Sequence, residues 1–270
     1  MNPFTTFTRR RALLLAACTS LLIASCAVQP PVMQSAEIRV MTSGAFTAPY
    51  KELVPMFEKE TGHKVLSAYG ASMGNAPDAI PVRLERGEAA DIVIMASSAL
   101  DDLIKKGKVM PGSRVDLVRS SIGFAVRSGV PKPDISTMAT LKKTLLEAKS
   151  IAYSASASGV YFSTEMLQKM GIADQVLPKS KRILSERVGT IVARGEAELG
   201  LQQVSELIPI AGIDYIGPLP AEVQQSTLFS AGIVVGSKEP EVARALIKYF
   251  TSSAAAPLIS KSGLEPMTQR

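Results

Sequence analysis

Short apolar runs alternate along this chain with longer stretches whose apolar residues recur at helical spacing. Glu37-Ile38-Arg39-Val40-Met41 is a β-prone run, and Thr42-Ser43-Gly44-Ala45 makes the turn after it. From Pro49 to Glu60 the residues Leu53, Val54, Met56 and Phe57 fall on one helical face, which stops at Thr61-Gly62. A strand is expected over His63–Ser67, then a helix from Ala76 to Arg86 ended by Gly87. Ile92-Val93-Ile94-Met95 has the unbroken apolar character of a strand buried on both faces, and a helix over Leu100–Lys106 stops at Gly107.

The same grammar continues in the second half. Strands are expected at Ile122–Val126, Ser150–Tyr153, Leu199–Leu201 and Phe229–Val235. Helices are expected at 137–148, Val160–Met170, Val188–Arg194, Pro240–Thr251 and 254–262. Strands alternating with helices in this rhythm predict an α/β protein with mainly parallel sheets flanked by helices.

The first 26 residues read differently. Arg9-Arg10-Arg11 precedes an apolar run from Ala12 to Ala24, which has the length of a signal-peptide core and is too short to span a membrane stably. The run ends Ile23-Ala24-Ser25-Cys26, a pattern of small residues before a cysteine that would carry a lipid anchor. The other reading is ordinary cleavage within Ala24-Ser25-Cys26-Ala27. The expected organisation is a signal peptide over 1–26 and a tether over 27–36. Residues 37–121 with 228–270 would form a first, discontinuous lobe, and 122–227 a second. Export to the periplasm is expected on either cleavage reading.

Composition narrows the function. The formal charge of +6 falls to +3 without Arg9, Arg10 and Arg11, and no basic run interleaved with aromatics occurs, which argues against nucleic acid. A mild positive balance suits an anionic ligand. Cys18 and Cys26 are the two cysteines and His63 the single histidine, so a zinc site or a Ser-His-Asp triad has almost no material. No metal or cofactor is expected. His63, at a helix end, reads as a solvated turn residue.

Three strand-to-helix junctions are rich in serine and glycine: Thr42–Ala45, Gly70-Ala71-Ser72-Met73-Gly74, and Ser154-Ala155-Ser156-Ala157-Ser158-Gly159. In open parallel sheets, ligands bind beyond the carboxyl ends of strands, where helix N-termini point unpaired N–H groups outward. Small residues let the backbone approach an anion, and hydroxyls add neutral donors. Singly, each stretch is also an ordinary turn and helix cap. Convergence of all three on one cleft is the arrangement that anion binding needs.

At this point the chain, from Glu37 to Pro266, resembles the molybdate-binding-protein family of type II periplasmic solute-binding proteins. The resemblance is carried by Thr42-Ser43-Gly44-Ala45-Phe46, Phe57-Glu58-Lys59-Glu60-Thr61-Gly62, Arg86-Gly87-Glu88-Ala89-Ala90-Asp91-Ile92-Val93-Ile94, Ser158-Gly159-Val160-Tyr161, Gly195-Glu196-Ala197-Glu198-Leu199-Gly200 and Ser262-Gly263-Leu264. It implies two lobes joined by two crossover strands, a ligand in the cleft, and hinge closure on binding. The implied ligand contacts are Ser43, Gly44, Ala45, Ser72, Met73, Gly74, Ser156, Ser158, Gly159 and Val160.

The oxyanion pocket departs from the family pattern. Ala45 stands where those proteins have a serine, and Gln203 where they have a tyrosine. Gln202, Gln203, Ser205 and Glu206 add polar groups, and Arg83 and Arg187 are candidate carboxylate clamps. Arg83 is also placed to pair with Glu85 or Glu88. Amides and guanidinium forks suit planar carboxylates better than a tetrahedral oxyanion, which favours a small di- or tricarboxylate.

The Ser-Gly-aromatic first loop and the Ala79-Ile80-Pro81-Val82-Arg83-Leu84 helix resemble the branch of bacterial aconitate isomerases. That branch implies interconversion of cis- and trans-aconitate by an allylic proton shift. Glu206, Tyr161 and Tyr153 are the candidates for moving the proton. The alternative is a receptor, with Cys26 as lipid anchor, that hands an organic acid or oxyanion to an ABC permease; a monomer is expected on either reading.

Overall fold

A computed structural model describes residues 35–267. The signal-peptide reading of 1–26, the anchor at Cys26 and most of the expected tether lie outside the described residues.

The first lobe opens with β1 (Glu37–Thr42), a 3-10 turn (Gly44–Phe46) and helix α1 (Thr47–Thr61). Gly62 ends α1 in a left-handed conformation (φ 74°) that a side chain would strain. There follow β2 (Lys64–Tyr69), α2 (Ile80–Glu85), β3 (Ile92–Ala96), α3 (Ser97–Lys105) and β4 (Val115–Ser120). The second lobe comprises β5 (Ile122–Arg127), α4 (Met138–Glu147), β6 (Ile151–Ser154) and α5 (Ala157–Tyr161). α5 runs on through a π turn (Phe162–Met166) into α6 (Leu167–Lys169), followed by α7 (Ala173–Val176), β7 (Ser180–Ile183), α8 (Val188–Ala193), β8 (Leu199–Gln203), α9 (Val204–Leu207) and β9 (Ile213–Pro218). The chain then returns to the first lobe with β10 (Thr227–Ile233), α10 (Pro240–Phe250), α11 (Ala256–Lys261) and β11 (Leu264–Pro266). No described helix is long and apolar enough to cross a membrane.

Two sheets result, in the orders β11-β4-β10-β3-β1-β2 and β7-β6-β8-β5-β9. Both sheets are flanked by helices as expected, and each adds antiparallel pairings to a parallel centre. β2-β1-β3 and β7-β6-β8 are parallel, while β10 and β11 in the first sheet and β5 and β9 in the second join antiparallel. The reason is connectivity. The chain enters the second lobe on β5 and re-enters the first on β10, and these two strands oppose those of the βαβ units, while β4 and β9 run with them.

Alternation along the central strands buries both sheet faces. In β3, Ile92 and Ile94 pack with Phe46, Tyr50, Phe57 and Phe250 under α1 and α10, while Val93 and Met95 pack with Ile80, Leu100 and Leu103 under α2 and α3. In the second lobe, Phe124, Ile151 and Leu201 meet Phe162 and Leu167 on one face, and α8 covers the other through Val188 and Val192. Gly200 lets α8 approach, since a Cβ there would lie 2.6 Å from Val192 Cγ2.

Two local expectations also change. His63 is not solvated: it is 6% exposed, packs on Phe57, and its Nδ1 accepts from Ala36 N–H (3.2 Å). The helix expected from Ala76 begins at Ile80, with Pro81 in its first turn, where the missing proline N–H removes no helical bond.

Candidate functional site

The hinge is built at two crossings, Ser120-Ser121 between β4 and β5 and the segment between Pro218 and Thr227. Gln224 ties them: its Oε1 accepts from Ile122 N–H (2.9 Å), and its Nε2 donates to the Ile122 (2.9 Å) and Leu219 carbonyls. Gln203 lies beside them. Only its nitrogen can face the Ser121 carbonyl, so it donates to Ser120 Oγ (2.8 Å) while its oxygen accepts from Thr227 Oγ1 (3.0 Å).

Between the lobes is a cavity of about 270 Å³. It falls just under the roughly 300–1,000 Å³ usual for drug-sized ligands, a size suited to a small acid. All three serine- and glycine-rich junctions reach it, through Ser43-Gly44-Ala45, Gly70-Ala71 and Ser154–Ser158. The lobes meet around it. Ser72 N–H donates to Ser156 Oγ (3.2 Å), and Ser185 Oγ donates to Asp78 Oδ1 (2.8 Å). Both bonds join the first lobe to the second, so the cleft is closed.

Each wall offers donors to an anion. At Ser43 the chain turns from β1 into a continuous helical stretch whose first N–H groups have no acceptor within the helix. Ser43 Oγ is buried and has no hydrogen-bond partner among the described residues. Opposite, Ser156 stands at the N-cap position of α5 without a side-chain capping bond, and Ala157 and Ser158 line the cavity beside it. Gly159 is needed just behind them, because a Cβ would overlap the Ser154 carbonyl.

The charged groups are unevenly engaged. Arg187, ahead of α8, is half-buried and makes no ion pair among the described residues. Its neighbour Glu186 is held instead by Arg194, which keeps the Glu186 carboxyl below its usual range. Lys51 on α1 reaches the rim with Nζ 5.5 Å from the Tyr69 ring centre. Glu206, in the first turn of α9, lies over Gly44 of the opposite lobe and accepts from Gln202 Nε2 (2.7 Å). It touches the cavity yet is densely surrounded by protein. Burial pushes its carboxyl up to about 7, against the opposing influence of Arg187 and the Gln202 bond. A carboxyl poised there exchanges its proton readily near neutral pH.

The structure thus brings together Ser43, Gly44, Ala45, Ser156, Ser158, Arg187, Gln202, Gln203 and Glu206. Other expected residues lie elsewhere. Arg83 does not line the cavity: it is forked onto Glu88 (Nε to Oε2, 2.9 Å) and bonded to the Tyr69 carbonyl, which engages the donors a carboxylate clamp would use. Tyr161 is buried in the second-lobe core and donates to the Val223 carbonyl (2.9 Å), with burial raising its pKa. Tyr153 packs on Phe162 in that core. Ser72 is sealed, its Oγ accepting from Ala96 N–H (2.9 Å); it joins the lobes through its backbone. Met73 and Gly74 line a separate groove beside α2 and α3, and Gly159 and Val160 stand behind the α5 start. Lys51, Tyr69, Asp78, Ser185 and Phe229 line the cavity and were not anticipated. For Phe229 and Ser185 the sequence carries no signal; Lys51 sits one turn into a helix that opens at the first junction.

Residues 38–265 match the model of a family described as bacterial extracellular solute-binding protein. The chain belongs to this family. Among solute-binding relatives, an aconitate isomerase from Pseudomonas sp is 48% identical over 85% of this chain and 88% of its own length. A molybdate-binding protein from Azotobacter vinelandii is 27% identical, over 85% of this chain and 90% of that protein. The solved periplasmic molybdate-binding protein of A. vinelandii superposes with a TM-score of 0.68 at 22% identity, covering 84% of this chain and 98% of that one. The two-lobe solute-binding fold is therefore established.

Proposed function

We propose that this protein is an exported aconitate isomerase. The 48%-identical relative supports the reaction, and one observation in the cavity supports the chemistry: Glu206, with its carboxyl raised to about 7, lines a closed anion-sized cleft beside Arg187. Ionised Glu206 takes a proton from the methylene carbon of bound aconitate, and the electron pair of that C–H bond spreads over an allylic carbanion. Both ends of the carbanion carry a carboxylate. One lies cis and the other trans to the central carboxylate, so returning the same proton to the opposite end moves the double bond and exchanges the isomers. Arg187 pairs with a carboxylate and offsets the charge that develops. Ser43, the backbone of Gly44 and Ala45, and the Ser156–Ser158 start of α5 hold the remaining carboxylates with neutral donors. The leader over residues 1–26 exports the chain.

A second reading, a receptor passing an organic acid or molybdate-like oxyanion to an ABC permease, draws support from the family and from the 27%-identical molybdate-binding relative. A thermal-shift series separates the ligands. At a hundredfold excess over Kd, binding adds about 2.7 kcal/mol, which is about 5–10 °C for a domain of this size. Cis- and trans-aconitate should give that shift, and molybdate and sulfate none. Turnover of either aconitate then favours the isomerase; binding without turnover favours the receptor.

A further inference from the structure

Gln202, at the end of β8, is 4% exposed, and both ends of its amide are engaged. Val188 N–H donates to its Oε1 (3.1 Å), which settles the orientation, since an N–H cannot bond to the amide nitrogen. Its Nε2 must then face Glu206, and it donates to Oε2 at 2.7 Å. Oε2 is also the oxygen that lies over Gly44. Glu206 Oε1 accepts no hydrogen bond among the described residues. Val188 directly follows Arg187, so one buried amide ties the segment bearing the cation to the carboxyl.

We propose that Gln202 is a positioning residue: it ties back Oε2 of Glu206 and leaves Oε1 turned to the reacting carbon, without itself holding the ligand. This rests on the reading of Glu206 as the proton-transfer group, and it departs from the expectation that Gln202 contacts the ligand. Among the charged groups around Glu206, Arg187 acts on its carboxyl; Lys51 from α1, Asp78 from the segment before α2, and Glu186 line the same cavity. From the 3-10 turn packed against α9, Gly44 to Phe46 bring no titratable group.

The test is Gln202→Met, similar in length but without the donor, read in two ways. The first needs no turnover. With glutamate carbon-13 labelled at the side-chain carboxyl, the Glu206 signal is assigned by its loss in Glu206→Gln. Its titration midpoint should move up in Gln202→Met, while the Kd for trans-aconitate stays within threefold of wild type. The second is kinetic: kcat should fall about 10- to 100-fold with KM within threefold, and the rising limb of kcat/KM should move to higher pH. Gln202→Asn, which cannot span both partners, should reproduce these changes and serves if the methionine variant does not fold. An unchanged midpoint together with a tenfold rise in Kd or KM would make Gln202 a ligand contact and overturn the proposal. If wild type turns over no aconitate, the functional reading fails, whereas the carbon-13 midpoint still decides whether Gln202 governs Glu206.

Discussion

The Glu206 carboxylate rests against Gly44 across the cleft, with no room between them for a methyl group. Glu206 belongs to α9, beyond the second-lobe strand β8, while Gly44 follows β1 of the first lobe. Closing the lobes is therefore what brings the carboxyl to its place above the first junction.

Gly44→Ala should separate fold from function at this point. The added Cβ would overlap Glu206 Oε2, so the carboxyl must move or the cleft must stop short of closing. A displacement of about 1 Å at a reacting group costs on the order of 100-fold in rate. We expect kcat/KM for aconitate to fall by at least that factor, with the melting temperature within about 2 °C of wild type, because Gly44 has an ordinary negative φ that alanine adopts freely.

The raised Glu206 carboxyl makes activity and stability oppose each other in pH. Its folded pKa, about 7, exceeds the ordinary 4.5. Between these values the native state binds more protons than the unfolded chain, so stability falls as pH rises. The contribution is fully present below about pH 4.5 and is lost as pH rises through about 7. The span corresponds to roughly 3 kcal/mol. Activity should run the other way, with kcat/KM climbing to a plateau above an apparent pKa near 7. Glu206→Gln should slow turnover by at least about 1,000-fold and melt higher than wild type at pH 8, with the difference shrinking as pH falls through about 7 and vanishing below about pH 4.5, as a calorimetric series would record.

Arg187→Ala should weaken binding and shift the pH limb together. Loss of an unpaired guanidinium facing a carboxylate should raise the KM for aconitate 10- to 100-fold. Arg187 also holds the Glu206 carboxyl down, so its removal should move the rising limb of the pH profile upward. Arg187→Lys keeps the charge but loses the fork and should recover the limb more fully than the KM.

The bond from Ser185 to Asp78 closes the cleft from lobe to lobe at an exposed site. Ser185→Ala should lower the melting temperature by no more than about 6 °C, since a hydrogen bond contributes about 0.5–1.5 kcal/mol, or about 1–6 °C for a domain of this size. Because the bond exists only between closed lobes, KM should rise about 2- to 10-fold with kcat little changed, measurable by initial rates.

Much of the fold was legible because its central strands are buried on both sides. Ile92–Met95 and Ile122–Val126 announce themselves as apolar runs. The strands that escaped notice are β4, β7, β9 and β11. β7, β9 and β11 lie at sheet edges, where one side of the strand has no partner and the residues are largely polar or half-exposed, as in Ser180-Lys181-Arg182-Ile183. β4 is interrupted by Asp116 and Arg119; Asp116 accepts from Ser230 Oγ on the neighbouring β10. The π turn at Phe162–Met166 keeps the apolar spacing of a helix and so cannot be told from one by periodicity.

The site was legible in its local part only. Serine- and glycine-rich junctions mark strand ends, and Glu206 and Arg187 stand close to such ends in sequence. Arg83 misled because a guanidinium on a short helix near a junction looks available. The turn at Gly87 brings Glu88 back onto it. Asp78 and Ser185 are 107 positions apart, and only the folded hinge makes them neighbours.

The most direct measurement follows cis-aconitate by proton NMR in deuterated buffer at pH 7.5 with wild type and Glu206→Gln. Wild type should bring the sample to the cis/trans equilibrium, while folded Glu206→Gln should be slower by at least about 1,000-fold, within the range a single proton-transfer group contributes. Interconversion by Glu206→Gln at the wild-type rate, or none by wild type that binds aconitate, would contradict the account.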